Sequence, residues 1–131
     1  MAVIGCVEDI QAWQKGRELT RRVYEASASH KFSRDRRLQA QIRSAAASVT
    51  SNIAEGFQRA GNREFLQFLA VAKGSAGEVK SQLYTALDAG YLTQREFDEI
   101  YAVATSAERL IGGLMRYLKQ STLRGPRFKP S

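Results

Sequence analysis

Apolar residues recur at spacings of three and four through four separate stretches of this chain, and no stretch alternates like a strand. In the first, Ile10, Trp13, Gly16, Leu19, Val23 and Ala26 share one face of a helix predicted over residues 9–30, with Asp9 as its N-cap. Gly16 falls on that face and is expected to make room for a large neighbour such as Trp13. The second helix, predicted over 34–56, carries Leu38, Ile42, Ala45, Val49 and Ile53 inward, with Ser33 as candidate N-cap and Asp35 in its first turn. Beside this stripe lies a polar one of Gln41, Ser44, Ser48, Asn52, Glu55 and Arg59, so the helix has either two packing duties or one packing duty and one wet face.

Gly56 and Gly61 bracket a turn, and Asn62 is the expected N-cap of a third helix over 62–89, with Phe65, Leu69, Ala72, Ala76, Val79, Leu83 and Leu87 inward. Phe68 and Tyr84 fall off that line and read as outer aromatics. Gly74 and Gly77 interrupt the helix former pattern, which signals either a close backbone approach or a tolerated weakness. Gly90 stops the helix, and Thr93-Gln94-Arg95-Glu96 is a capping box opening a fourth helix over 94–120. Its core positions are Phe97, Ile100, Tyr101, Ala104, Ala107, Ile111, Leu114 and Leu118. Residues 121–131, with Gly125, Pro126 and Pro130, read as a flexible basic tail.

Four amphipathic helices joined by short connections predict an all-α, antiparallel up-down-up-down four-helix bundle, one domain over residues 1–131. The 131 residues, 44% hydrophobic and 25% charged, suit a single globular domain.

Charge adds direction to this picture. Twenty Lys and Arg against 13 Asp and Glu give a net +7, which favours an anionic partner such as nucleic acid. In an up-down bundle one end gathers Arg59, Arg63, Arg116, Lys119, Arg124, Arg127 and Lys129, with Phe128 as a ring for base stacking. The other end carries a second patch, Arg34, Arg36 and Arg37 with Lys31, countered within that loop only by Asp35. The lone Cys6 suits a reducing compartment, and no run approaches the roughly 18 apolar residues of a membrane span, so the expected location is the cytoplasm with no membrane partner.

Catalytic chemistry is sparse. A di-metal bundle site needs inward Glu residues and Glu-x-x-His motifs; Glu55, Glu64, Glu78 and Glu108 are available, but His30 is the only histidine and no Glu precedes it by three. A helical-bundle RNase would need an Arg and a His four to six residues apart in the proper order, and the arginines around His30 do not provide it. His30 reads as an ordinary residue near a helix C-terminus. Cys6 has no His nearby to activate it, and no phosphate-cradling glycine loop is present. No catalytic, cofactor-binding or metal-ligating residue is assigned, and the expectation is a protein that is not an enzyme and needs no cofactor.

The elements Gln41-Ile42-Arg43, Ala45-Ala46, Ser48, Ser51-Asn52-Ile53-Ala54-Glu55-Gly56, Glu64-Phe65, Phe68-Leu69, Ala72, Gly74-Ser75, Glu78, Gln82-Leu83 and Gly90-Tyr91-Leu92, together with Trp13-Gln14-Lys15 and Val23-Tyr24, carry a specific likeness. In their order and spacing the chain resembles the four helix bundle family of proteins encoded in 23S rRNA intervening sequences, over roughly residues 9–118. Two positions depart from that pattern. Thr50 stands where the family usually has proline, which leaves the second helix freer to run straight, and Arg36-Arg37 replaces an aromatic-Gly pair.

The resemblance implies a homopentamer related to the accessory protein of diversity-generating retroelements, a basic barrel that engages a reverse transcriptase and nucleic acid. It implies no enzymatic activity. Within this signature Gln41, Arg43, Ser51, Asn52, Glu55 and Gly56 are expected to be structural, with Asn52 and Glu55 fixing the turn and so holding Arg59 and Arg63 in place. The function expected is that of an oligomeric protein binding RNA or DNA, or accessory to a nucleic-acid enzyme; the alternative is a protein-interaction scaffold with no nucleic-acid ligand.

Overall fold

The four periodic stretches become four long helices, and the first connection becomes a fifth, short one. The computed structural model describes residues 5–59 and 61–123, the side chains of 121–123 excepted. A single 3-10 turn (Val7–Asp9) leads into α1 (Gln11–Ser27), followed by α2 (His30–Arg34), α3 (Arg36–Gln58), α4 (Asn62–Asp88) and α5 (Gln94–Leu123). No strand occurs among the described residues.

Each long helix packs against two others: α3 lies on α1 and α4, and α5 lies on α4 and α1. The cross-links run in opposite senses along each pair. Thr20 of α1 bonds the Ala46 carbonyl while the later Ser27 meets the earlier Arg43, and Gly56 lies against Phe68 whereas Ser48 meets Ser75. That reversal is the signature of antiparallel neighbours, as short connections demand.

The core is largely the set that periodicity selects, although Trp13, Ala26, Leu87, Tyr101 and Leu114, expected inward, are only partly buried and Ala46, Ala86 and Val103 are buried beside the stripes. Leu19, Val23, Ile42, Val49, Ile53, Leu69, Val79, Leu83, Ile111 and Leu118 are essentially sealed from solvent. Gly16 is buried too, but its neighbours are Val49 and Thr50 of α3: a Cβ there would sit 2.9 Å from Val49 Cγ1 and 3.0 Å from Thr50 Cγ2. It therefore lets α1 approach α3 and does not make room for Trp13, which is only partly buried. Gly56 plays the same part between α3 and α4, where a Cβ would meet Phe68 and Phe65 at 2.7 and 2.8 Å. Gly74 faces open space. α3 runs uninterrupted through Thr50.

Several helix ends differ from the sequence expectation by one to three residues, and residues 121–123, assigned there to the tail, continue α5. Asp9 sits in the 3-10 turn, and Ile10 holds the cap position of α1 with no side-chain bond. Asp35, placed above in the first turn, is itself the N-cap of α3, its Oδ1 accepting from the Leu38 amide at 3.1 Å. Ser33 lies inside α2, and His30 opens that helix instead of ending the first. The extended backbone of Gly61 caps α4, making Asn62 its first residue. The Thr93–Glu96 capping box forms in both directions, at 2.8 and 3.1 Å. Gly90 adopts φ +81, and the amides of Gly90 and Tyr91 turn back onto the carbonyls of Leu87 and Ala86. This double closure requires the left-handed residue that glycine supplies at no steric cost.

The basic connection at Lys31–Arg37 conceals a hydrophobic anchor. Ser29 caps α2 through the Phe32 amide, and Phe32 is 1% exposed, its ring 5.4 Å from that of Tyr91. A single apolar residue among charges has no period, which is why the sequence pattern did not expose it.

Candidate functional site

Charge on this surface divides into cations that are spoken for and cations that are not. Lys15 and Arg22 pair with Glu18, and Arg95 pairs with Glu99. The hydrogen bond from Lys15 holds the Glu18 carboxyl below the usual range. Arg59 belongs to the paired group: it bonds Glu55 at 2.8 Å, reaches Glu64 at 3.8 Å, and lies 5.2 Å over the Phe68 ring. It is a clasp across the α3–α4 turn. Phe68, half-buried beneath it, is consequently not a free outer aromatic.

Asn52 does not reach that turn. Its Nδ2 donates to the Ser48 carbonyl and hydroxyl at 2.8 and 2.9 Å, and Ser48 shares a hydrogen bond of 2.8 Å with Ser75 of α4. The polar stripe of α3 thus has a packing duty along part of its length, while Gln41, Ser44, Ser51 and Glu55 face solvent. Arg43 turns to the other side, its Nε donating to the Ser27 hydroxyl at 2.7 Å and its guanidinium lying 4.4 Å over Tyr24.

Six of the cations without an ion pair line two hollows. The first is a cleft of about 480 Å³ in the groove between α4 and α5, lined by Lys73, Thr105, Glu108, Arg109, Gly112 and Arg116. Gly112 forms its floor: from the position of an added Cβ there, Arg116 Nη1 lies at 3.5 Å and Lys73 Nζ at 3.9 Å. Two like charges thus converge on one glycine, and among the described residues neither they nor Arg109 have a carboxylate within ion-pairing distance. Glu108, the acid in this lining, is taken by Lys80 at 2.7 Å. That bond, aided by the Tyr101 hydroxyl, raises the Lys80 ammonium above its ordinary range, so Lys80 stays charged.

Of the expected basic end, Arg63 and Lys119 are exposed and Arg116 belongs to this cleft. Arg124, Arg127, Lys129 and the Phe128 ring lie outside the described residues. Lys73 and Arg109 were absent from the sequence expectation. Their membership depends on which α4 residue faces which α5 residue, and no spacing within one helix reports that.

The second hollow, about 510 Å³, is lined by Lys31, Arg34, Asp35, Arg36 and Tyr91. The expected countercharge is engaged elsewhere, since Asp35 Oδ2 accepts from the Tyr91 hydroxyl at 2.9 Å and Oδ1 caps α3. This bond raises the Tyr91 phenol. Arg37 is exposed beside the hollow.

Along the α4–α5 groove, beyond Lys80, the lining changes from charge to rings. Tyr84 packs 4.8 Å from Phe97 and 5.7 Å from Tyr101, and those two stack at 5.2 Å. Half of Tyr84 remains exposed.

Other chemistry has little footing. The Cys6 thiol donates to Asp9 Oδ2 at 3.4 Å, and that bond, with Glu8, pushes it up, the opposite of an activated thiolate. Among the described residues no three His, Cys, Asp or Glu side chains are placed to hold a metal, and no helix is long and apolar enough to cross a membrane.

Comparison with known proteins bears on this arrangement. The family model described as 23S rRNA-intervening sequence protein matches residues 8–113. A solved structure from Bacteroides thetaiotaomicron, described as a protein with unknown function from the S23 ribosomal protein family, superposes with a TM-score of 0.74 at 20% identity, covering 80% of this chain and 98% of that one. At that identity the likeness speaks for the fold alone. No curated protein matches the chain.

Proposed function

The chain belongs to the 23S rRNA-intervening sequence protein family, and on that premise we propose that it is a non-enzymatic, oligomeric protein that binds RNA through basic surfaces on the bundle. The observation that carries this reading is the convergence of Lys73 and Arg116 over Gly112, with Arg109 in the same lining and, among the described residues, no carboxylate paired to any of the three. Like charges held together without a counterion are unfavourable in the free protein and become favourable when a phosphate enters. Surface cations that merely solubilise have no reason to share a concave site.

Oligomerisation belongs to the same proposal, a pentamer being what the family resemblance implies. The face suited to it is the outer side of α3 and α4, where Ala40, Gln41, Ser44, Ser48, Ser75 and the carboxylate of Glu78 line a shallow hollow and Val71 is 53% exposed. Repetition of the cleft around an oligomer multiplies phosphate contacts, and an accessory role beside a nucleic-acid enzyme such as a reverse transcriptase is compatible with it.

The test is fluorescence anisotropy with labelled RNA and DNA, titrated from about 50 mM salt upward, where each phosphate contact adds roughly 0.7 to 0.9 to the log-log slope. Binding that weakens steeply with salt, and that falls in Lys73→Ala/Arg116→Ala, supports the reading; no measurable affinity at low salt ends it. A protein-binding scaffold is the second reading, favoured by the exposed Val71 and Tyr84. It predicts partner capture indifferent to those two cations.

A further inference from the structure

We propose that the α4–α5 groove is a path for a single RNA strand, with phosphates seated on Lys73, Arg109 and Arg116 and a base stacked on Tyr84; this rests on the RNA-binding reading and assigns its strand type and its route. The groove has two chemically different halves on one line. At one end are the unpaired cations around Gly112. At the other is an aromatic cluster in which Phe97 and Tyr101 brace Tyr84 from α5 while half of Tyr84 stays open. Charges attract the backbone of any nucleic acid, but an open ring backed by other rings offers something only an unpaired base can use.

The middle of the groove fits the same ligand. Lys80 is tied to Glu108 at 2.7 Å and lies 4.6 Å over the Tyr101 ring. It neutralises Glu108, the carboxylate in the cleft lining, so an approaching polyanion meets no net negative charge there. Eleven residues of α4, roughly 16 Å of helix, separate Lys73 from Tyr84, a span of a few nucleotides. Gly112 and Gly77 keep the floor low along it: neither has a side chain to rise between the helices, and each has a charged head within 4 Å of where one would begin. A duplex could touch the cations but has no unstacked base for the ring.

The experiment compares a labelled single-stranded oligouridylate with an RNA duplex of equal length, on the full chain and on Tyr84→Ala, Tyr84→Phe, Lys73→Ala/Arg116→Ala and Arg36→Ala/Arg37→Ala. Tyr84→Ala is expected to weaken the single strand about tenfold or more, the loss of one stacked base, and to leave the duplex unchanged. Tyr84→Phe keeps the ring and restores binding. The Lys73/Arg116 pair lowers the salt slope by roughly 0.7 per cation removed and weakens the single strand more than the Arg36/Arg37 pair at the second hollow does. Should Tyr84→Ala bind the single strand as well as the parent does, the groove is not the path, although salt-sensitive RNA binding by the parent would keep the broader reading alive. If the parent binds neither RNA, both fall. A Tyr84→Ala protein that sediments as a smaller species with unaltered RNA affinity would show the rings to be a subunit contact and overturn the path.

Discussion

Arg43 Nε donates to the hydroxyl of Ser27, a fully buried side chain, at 2.7 Å, and a second guanidinium nitrogen reaches the Tyr24 carbonyl at 3.2 Å. With Gln39 Nε2 on the Ser27 carbonyl at 2.9 Å, α3 thus supplies donors to two carbonyls in the last turn of α1, where the intrahelical ladder runs out. Arg43→Ala is expected to cost about 1–3 kcal/mol, because it takes the donor from the Ser27 hydroxyl and leaves the Tyr24 carbonyl with only the longer bond from Ser27 Oγ at 3.4 Å. Lys cannot reproduce the fork, so Arg43→Lys recovers little. Urea denaturation of the two variants checks both statements.

The glycines should separate by sign. Gly16→Ala forces a methyl to within 2.9 Å of Val49 and is expected to destabilise by about 1–3 kcal/mol, and Gly56→Ala by at least as much. Gly74→Ala meets nothing within 4 Å and should stabilise by about 0.5–1 kcal/mol. Thermal melts report all three. A destabilised Gly74→Ala would instead place another backbone, from a second copy, against that face.

Arg59 was expected among the nucleic-acid ligands, but its charge is already answered by Glu55 and Glu64. Arg59→Ala should therefore change stability by only about 0–1 kcal/mol, as exposed pairs do, and reduce RNA affinity less than Arg116→Ala. Equal losses in an anisotropy titration would refute the assignment of Arg59 as a clasp.

Two pH limits follow from hydrogen-bonded titrating groups. Tyr91 is raised above its ordinary 10.0 by the bond to Asp35, so its contribution is complete below pH 10 and fades as the pH rises through the folded value. Tyr91→Phe should flatten the alkaline fall in stability. Glu18 is lowered from 4.5 by Lys15, so its share is present above that value and is lost on acidification. Glu18→Gln should weaken the protein near neutrality and blunt the acid limb, both measurable by urea titration across pH.

The Ser48–Ser75 contact lends itself to a double-mutant cycle. Removing either hydroxyl leaves a partner short of a bond in a partly buried site, whereas removing both exchanges two polar groups for two small apolar ones. Each single alanine variant is expected to cost about 1 kcal/mol, and the pair less than their sum, as read by chemical denaturation.

By itself the sequence determined the elements that depend on neighbours along the chain. Helical period, the Thr93–Glu96 box and the Gly90 stop are satisfied within a few residues, and the buried stripes from Leu38 to Ile53 and from Phe65 to Leu83 follow from rotation about one helix axis. Only the tertiary structure decided what depends on residues brought together from distant positions. Gly16 serves Val49 because α1 and α3 run antiparallel at that register. Asp35 is spent on Tyr91, and Phe32 is buried because the end of the bundle has a space for it. Likewise Arg59 finds Glu64 across a turn, while Lys73 meets Arg116 over Gly112 with no carboxylate of the described residues paired to either. A charge's availability is set by its nearest countercharge in space, and that distance is fixed only when the helices pack.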